Sequence, residues 1–581
     1  MKRYIILAAL AVFGCSNNNN GNSHEYDLGT GGNGGNGSDD GGGGGGADMA
    51  GGDMADVTVP PAPTATHVGA TGTTCCMVAG STRAAYLLNP TGTTTITGEL
   101  HVVDKMGVDK KIDTGVTAAG FGITPGGKSI IYTKPSGTKA SLFWADLTTA
   151  TVAPKTVFTG TAYNATLAFA GFFSPSGKYF VVGVLPAGVS RSPDMHVIDT
   201  SNGNDVYQRL NGEFDYVEAV LPDDTMIFQD TAGGQSAGST PVQTLYWISL
   251  PNAGSSTAAA ISTHTSSLTP TSDNKTLLYL RTNGDLYAWN AMTKTGAGTK
   301  IASTVIKFTV GPDATGPAAY IAADHSVHVV GTDGTKLLDV AASAATSADL
   351  LSQIVLAPDG GDVFYFQGYE TQNQRGTLLR ANVKAGATPV KVGDKISSAD
   401  LNVLDNALVL VRNVDDLGEF GEAVKANRDG SNIQSLGMMV PVGGLNVVNP
   451  GPGTWFAMHL NTAVKDPTAA NVPVNGSAAL YGALSFEDNG GAAVTLDAKV
   501  HAGAFSFAAD DGRTAAFVTG ATWNATAKNY VGALQVIAAR DPNAKIDGKV
   551  SGCSELGPIV GRGLFVNAPT ASPAGVYYVT F

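Results

Sequence analysis

Several groups of residues in this chain have the types and the spacing of chemical sites. Gly234-Gln235-Ser236-Ala237-Gly238 fits G-x-S-x-G, in which a strained strand-to-helix turn exposes a nucleophilic serine. Here the pentapeptide stands in a Gly/Ser-rich hairpin stretch with no helical pattern after it, so nothing builds the strained turn. Ser136 with Lys139, Ser272-Asp273-Asn274 and Lys294-Thr295-Gly296 spell, in order, the S-x-x-K, S-D-N and K-T-G motifs of acyl-serine chemistry. The second lies inside a repeated turn and the third follows about 20 residues later, with no helical domain between them. A chance match is the better reading of both.

His325 and His328 are three apart in a strand-like stretch, a spacing that sends the two rings to opposite faces and makes a poor metal pair. Asp415, Asp416, Glu419 and Glu422 crowd one hairpin loop that could attract calcium, yet they lack the D-x-D-x-D-G spacing of a calcium loop and read as a solvated acidic loop. Glu218 is the best acid on a strand expected to face a central channel, where the other stretches are apolar. No cofactor signature is present, and catalysis is not the expected role.

The elements that must position any site announce themselves by repetition. TPGGKSIIYT (124–133), SPSGKYFVVG (174–183), LPDDTMIFQD (221–230), TSDNKTLLYL (271–280), APDGGDVFYF (357–366) and ADDGRTAAFV (509–518) are all a tight polar turn followed by a short β-branched and aromatic strand. Weaker copies stand at 79–83, 311–313, 404–406, 449–453 and 560–563. The strands between copies are short, and the period of about 40 to 60 residues is that of four antiparallel strands per blade. The expectation is an all-β chain, a β-propeller of four-stranded antiparallel blades.

These phrases resemble the repeat of the TolB family and its WD40-like relatives, close to S-P-D-G-K followed by a strand ending in Phe or Tyr. The resemblance covers most of the chain after about residue 70 and implies the propeller fold. It departs from TolB in lacking an α/β domain ahead of the repeats and in carrying a lipid-anchor signal. About eleven units exceed the four to eight blades of an ordinary ring, so two propellers are expected, 67–345 and 346–581, with one large ring as the alternative. The last unit stops one strand short, which calls for an N-terminal strand, 57–60 or 65–70, to cover its open edge.

The address is written in residues 1–15, MKRYIILAALAVFGC: basic residues, a short apolar run, then a small residue before Cys15. This resembles the bacterial lipobox, which implies cleavage and lipidation at Cys15; Ser16 rather than Asp after it implies export to the outer membrane or cell surface. Residues 16–66, rich in Gly and Asn, bury too little to fold and read as a disordered tether spanning roughly 35–40 Å. Three cysteines remain, Cys75, Cys76 and Cys553: a bond from the Cys75-Cys76 pair to Cys553 would clip the chain ends together, a vicinal bond is the alternative, and buried thiols the simplest case. Only 14% of residues are charged, the net charge is −13, and no long basic run occurs, which excludes nucleic acid as a partner. The composite reading is a membrane-tethered, non-enzymatic platform for an envelope protein or glycan, with loops 368–376 and 460–476 as recognition surfaces. The alternative is a hydrolase or lyase with its site in the channel.

Overall fold

The repeated turn closes its hairpin in one way wherever it is seen. In each copy the fourth residue takes a left-handed conformation: Gly127 (φ 63°), Gly177 (φ 69°), Asp224 (φ 57°), Asn274 (φ 56°) and Gly360 (φ 67°). Its amide donates to the carbonyl of the first residue of the phrase, as from Gly127 to Thr124 (2.7 Å) and from Gly360 to Ala357 (2.8 Å). That explains why only Gly, Asn or Asp stands there, since other side chains resist positive φ. Thr124 adds its hydroxyl, which accepts from the amides of Lys128 and Ser129, both at 3.1 Å.

The computed structural model describes residues 64–581 apart from 81, 93–94, 119, 137–138, 163–170, 185–193, 210–212, 232–242, 253–257, 264, 272–273, 312–316, 341–343, 346–353, 452–453, 466–479, 489–492, 508–513, 525–528, 538–544 and 561–562. The leader with Cys15, the tether as far as residue 63 and the 509–513 turn therefore lie outside the described residues, whereas residues 64–66, expected to close the disordered tether, form a strand because they find an edge to pair with. The chain is all-β and antiparallel. Four-stranded sheets follow one another in residues 74–117, 213–263, 265–302, 305–340, 354–397 and 402–441. Two larger sheets each join two such meanders. Residues 121–162 and 171–209 are linked through the single pair Val184 and Ala162. In 446–553 the long strand Val494–Phe507 ends one meander with its first half and begins the next with its second, as Phe505 pairs with Phe517. Among the described residues no helix is long and apolar enough to cross a membrane.

Side chains alternate across each sheet, and both faces are buried against neighbours. Val102 packs with Tyr132, Ile131 with Phe180, Val197 with Phe228, Leu245 with Tyr279, and so on in chain order. First strands of successive sheets touch, for example Glu213–Val220 with Thr265–Pro270, and Val305–Val310 with Ile354–Leu356. They thus stand on the axis around which the sheets are arranged. Positions 345 and 346, where the sequence placed a boundary, separate two sheets that share one core containing Ile321, Leu338, Ile354 and Tyr365.

The last sheet is completed from the other end of the chain. Thr64–His67 pairs with Gly575–Thr580, Thr64 opposite Thr580 and His67 opposite Tyr577, in the order 64–67, 575–580, 563–568, 555–556. Of the two segments proposed for this task, the one around Ala65 performs it, and 57–60 lies outside the described residues. The amides of Val68 and Gly69 add bonds to the Val576 carbonyl at 2.9 and 3.0 Å. On the side of the first sheet, Val68, Met77 and Tyr86 bury against Phe565 and Val576. Near the axis Glu555 Oε2 accepts from the Met77 amide (3.1 Å) and Asn567 Nδ2 (3.0 Å), while Thr74 donates to Asn567 Oδ1 at 2.5 Å.

Two outcomes follow from this seam. Excising 64–67 removes four ladder positions and should lower the free energy of unfolding by about 2–4 kcal/mol, visible as an earlier urea midpoint; an unchanged midpoint would show that the pairing is dispensable. Burial raises the Glu555 carboxyl to about 7, against the donors Met77, Asn567 and Cys76, which pull it down. Because the folded value lies above the unfolded one near 4.5, the associated stability is complete below pH 4.5 and is lost as pH rises through 7. The swing is up to about 3 kcal/mol, and stability profiles of Glu555→Gln should lack it.

Candidate binding cleft

Three tight turns meet between the sheet 402–441 and the meander that follows it. Asp405 and Asn406 form the turn before the strand Ala407–Arg412, where the Leu404 amide reaches the Ala407 carbonyl (2.9 Å). Asn427 and Asn432 flank the turn between Phe420–Asn427 and Gln434–Pro441; Asn432 is left-handed (φ 51°), which an asparagine tolerates. Asn449 comes from the next unit, ahead of Trp455. Arg428 of the middle turn donates to the Leu404 carbonyl (2.9 Å) and to Asp359 (2.8 Å) of the preceding sheet. It thereby holds the turn in place.

The cleft between these turns has a volume of about 320 Å³ and is lined by five carboxamides, Asn406, Asn427, Asn432, Gln434 and Asn449, with Asp405 and Lys425. Trp455, only 4% exposed, forms the floor, with the Lys425 ammonium 5.1 Å from its ring centroid. A carboxamide carries two donors and an acceptor, of which Asn427 spends one donor on Ser431 Oγ (3.0 Å). Asp405 is the one carboxylate among the lining residues, which include no His, Cys or Ser. The lining suits holding a polar ligand. The sequence reading passed over these residues because Asn in a turn is accounted for by turn geometry; Asn recurring in three successive turns was the available signal.

The residues singled out by the sequence are dispersed. Residues 234–238 and Ser272-Asp273 lie outside the described residues, as does the side chain of Glu218 on Glu213–Val220. Ser136 faces Lys139 across one hairpin, Asn274 is the left-handed residue of its turn, and Lys294 belongs to another turn, where it pairs with Asp223 (2.7 Å) and sits over Trp247. His325 holds the Ala344 carbonyl (2.8 Å). His328 contacts Asp339 through Nδ1 and Ser326 Oγ through Nε2 (2.6 Å), an order matching a nucleophile, base and orienting acid. Two facts identify this as architecture. Ser326 donates to Asp324 (2.5 Å), and the same pairing of a third-strand His with a fourth-strand Asp recurs in His101 with Asp109 (2.8 Å) and His196 with Asp205 (2.6 Å). Tyr320 stacks on the ring of His328, and the ring of Tyr86 lies tilted beside that of His101.

The acidic loop is held by cations. Arg375, 6% exposed, bonds Glu370 and Asp416 at 2.9 Å and the carbonyls of Val414 (2.6 Å) and Asp415 (2.8 Å), so loop 368–376 is fastened to it. Lys395 approaches Asp416 (3.6 Å), and Arg412 takes Glu422 (3.0 Å). The Arg375 guanidinium pulls the Asp416 carboxyl below its ordinary range. Of loop 460–476 only residues to 465 are described. Cys75 and Cys76 are adjacent in one strand with sulfurs 2.7 Å apart, whereas Cys553 lies in a different core with Leu534 and Val550; none of the three is in a disulfide.

No family model matches the sequence, and no curated protein does. Among solved structures, a eukaryotic initiation factor aligns over 63% of this chain and 88% of its own, at 10% identity and a TM-score of 0.37. The tricorn protease aligns over 86% and 55% (10%, 0.26), and TolB from Acinetobacter baumannii over 44% and 62% (19%, 0.22). With Asp416 paired to Arg375 and Lys395, Glu422 paired to Arg412, and Asp415 Oδ1 accepting the amides of Leu417 and Glu419, the loop 415–422 should ignore calcium. Millimolar calcium is expected to leave the melting temperature unchanged, whereas Arg375→Met should lower it; a calcium-dependent rise of several degrees in the native chain would overturn this assignment.

Proposed function

We propose that this protein is a lipid-anchored, extracytoplasmic β-propeller that binds a glycan without turning it over, and that its sheets form one closed ring. The observation that carries the binding role is the cleft: five carboxamides and a lone carboxylate around about 320 Å³, a size at the small end of ligand sites. Sugar hydroxyls each donate and accept, and side-chain amides match them without charge. A protein partner would instead call for exposed aromatic or arginine anchors, and the Trp455 and Arg428 found here are both turned inward.

The single ring is supported by the cores, which run from sheet to sheet through residue 345 and return from Phe565 to Tyr86. Anchoring and export are supported by the sequence of residues 1–15 and the tether behind it. The lipid then provides the membrane contact, and the ring stands clear of the headgroups at the outer membrane or cell surface.

A glycan array probed with the full chain tests the reading. Retention of one family of envelope-type glycans is expected, and both Gln434→Leu and Asn406→Ala should weaken it at least tenfold, equivalent to about 1.4 kcal/mol, with melting unchanged. Undiminished binding by both variants would place the site elsewhere, and hydrolysis of a retained glycan would restore the enzyme reading.

A further inference from the structure

The thiol pair of the first strand stands at the seam. In Thr74–Ala79, Cys75 pairs with Leu87 and the next ladder position is Val78 with Ala85, so Cys76 and Met77 bulge together opposite Tyr86. Cys76 is left-handed at φ 63°, a conformation that costs a non-glycine residue energy and persists where surroundings enforce it. The surroundings here include Glu555 of the last sheet, which accepts from the backbone of Cys76 and Met77. Cys75 is half-buried and Cys76 is 6% exposed. Cys553 is fully buried, and burial pushes its thiol up to about 12, which suppresses its thiolate.

We propose that Cys75 and Cys76 form a dithiol site that reacts with a disulfide-bearing oxidant, becoming a vicinal disulfide and resetting the tie between the first and last sheets. Cys75, the more accessible sulfur, attacks one sulfur of the oxidant as a thiolate and expels the other as a thiolate. Cys76 then attacks the Cys75 sulfur of the mixed disulfide, and the second thiolate leaves. Two cysteine thiols are oxidised, the oxidant's disulfide is reduced to two thiols, and the two cysteine protons pass to the departing sulfurs. The new ring includes the Cys75-Cys76 peptide, so its closure moves the amides that Glu555 accepts. A bulge released from the ladder with Arg83–Thr91 leaves that peptide room to turn.

The test uses the full chain, reduced with dithiothreitol and then exposed to oxidised glutathione. Unreduced peptide mapping should show loss of two hydrogens within the single peptide carrying Cys75 and Cys76, with Cys553→Ser unaffected. Phenylarsine oxide should bind the reduced chain once and the oxidised chain not at all. Cys76→Ser should stop at a stable glutathione adduct on Cys75. In hydrogen exchange, amides of 64–67 and 575–580 should change protection several-fold on oxidation. A stable glutathione adduct on the native chain, or a link to Cys553, overturns the site; unchanged exchange at the seam overturns its effect on the ring.

Discussion

A sheet that ends short leaves a row of unpaired backbone donors and acceptors, and that constraint governs this molecule. Among the described residues the C-terminal unit supplies three strands of its own, Glu555–Leu556, Gly563–Ala568 and Gly575–Thr580. The fourth comes from Thr64–His67, about 500 residues upstream. Every core elsewhere joins neighbours in sequence, and this one joins the two ends. Without the seam the last sheet would keep an open edge and the apolar faces of Phe565 and Tyr86 would lose each other. Polar groups reinforce the place. Glu555, Asn567 and Thr74 are linked by bonds of 3.0 and 2.5 Å across the junction, an interaction whose strength depends on the charge of Glu555.

Between sheets the same turn phrase that starts each hairpin also reaches outward. Asp223 of the 221–224 turn pairs with Lys294 of the next sheet at 2.7 Å, and Asp359 of the 357–360 turn with Arg428 of the next at 2.8 Å. Ser176 donates to Asp224 at 2.5 Å. Third and fourth residues of the phrase thus divide the labour: one sends its carboxylate to the following sheet, the other adopts the left-handed backbone that reverses the chain. Lys294 also lies over Trp247, and Arg428 has a mostly desolvated partner in Asp362, so these ties are more than exposed ion pairs of small worth.

Legibility in the sequence followed this division. Turns and strands were readable because positive φ restricts residue choice and half-buried strands restrict it again; the strand that closes the last sheet was readable because a missing edge is a countable deficit. The cleft was not. Its residues are Asn and Gln, which a turn explains without a ligand, and their convergence depends on which sheets are neighbours. Nor was the role of Arg375 visible. Asp416 and Glu422 looked like a surplus of acid because their cations lie 10 to 41 residues away in sequence, in Arg412, Lys395 and Arg375. Glu555 was overlooked for a similar reason, since nothing local announces that an acid between Ser554 and Leu556 meets the amides of Cys76 and Met77.

Where such a fold can place function follows from what its strands are made of. First strands such as Phe121–Ile123 and Ile354–Leu356 carry Phe121, Ile123, Ile354 and Leu356, all buried and apolar, so these strands are occupied with packing. Second and third strands are consumed by the cores. His–Asp pairs, which elsewhere would prompt an enzymatic reading, are spent joining third strands to fourth strands. Polar side chains gather at the turns, and those around 405–406, 427–432 and 449 converge on one cleft. A binding surface made of amides there asks nothing of the core, can change residue by residue, and is held rigid by the ties that Arg428 and its counterparts make to the preceding sheet.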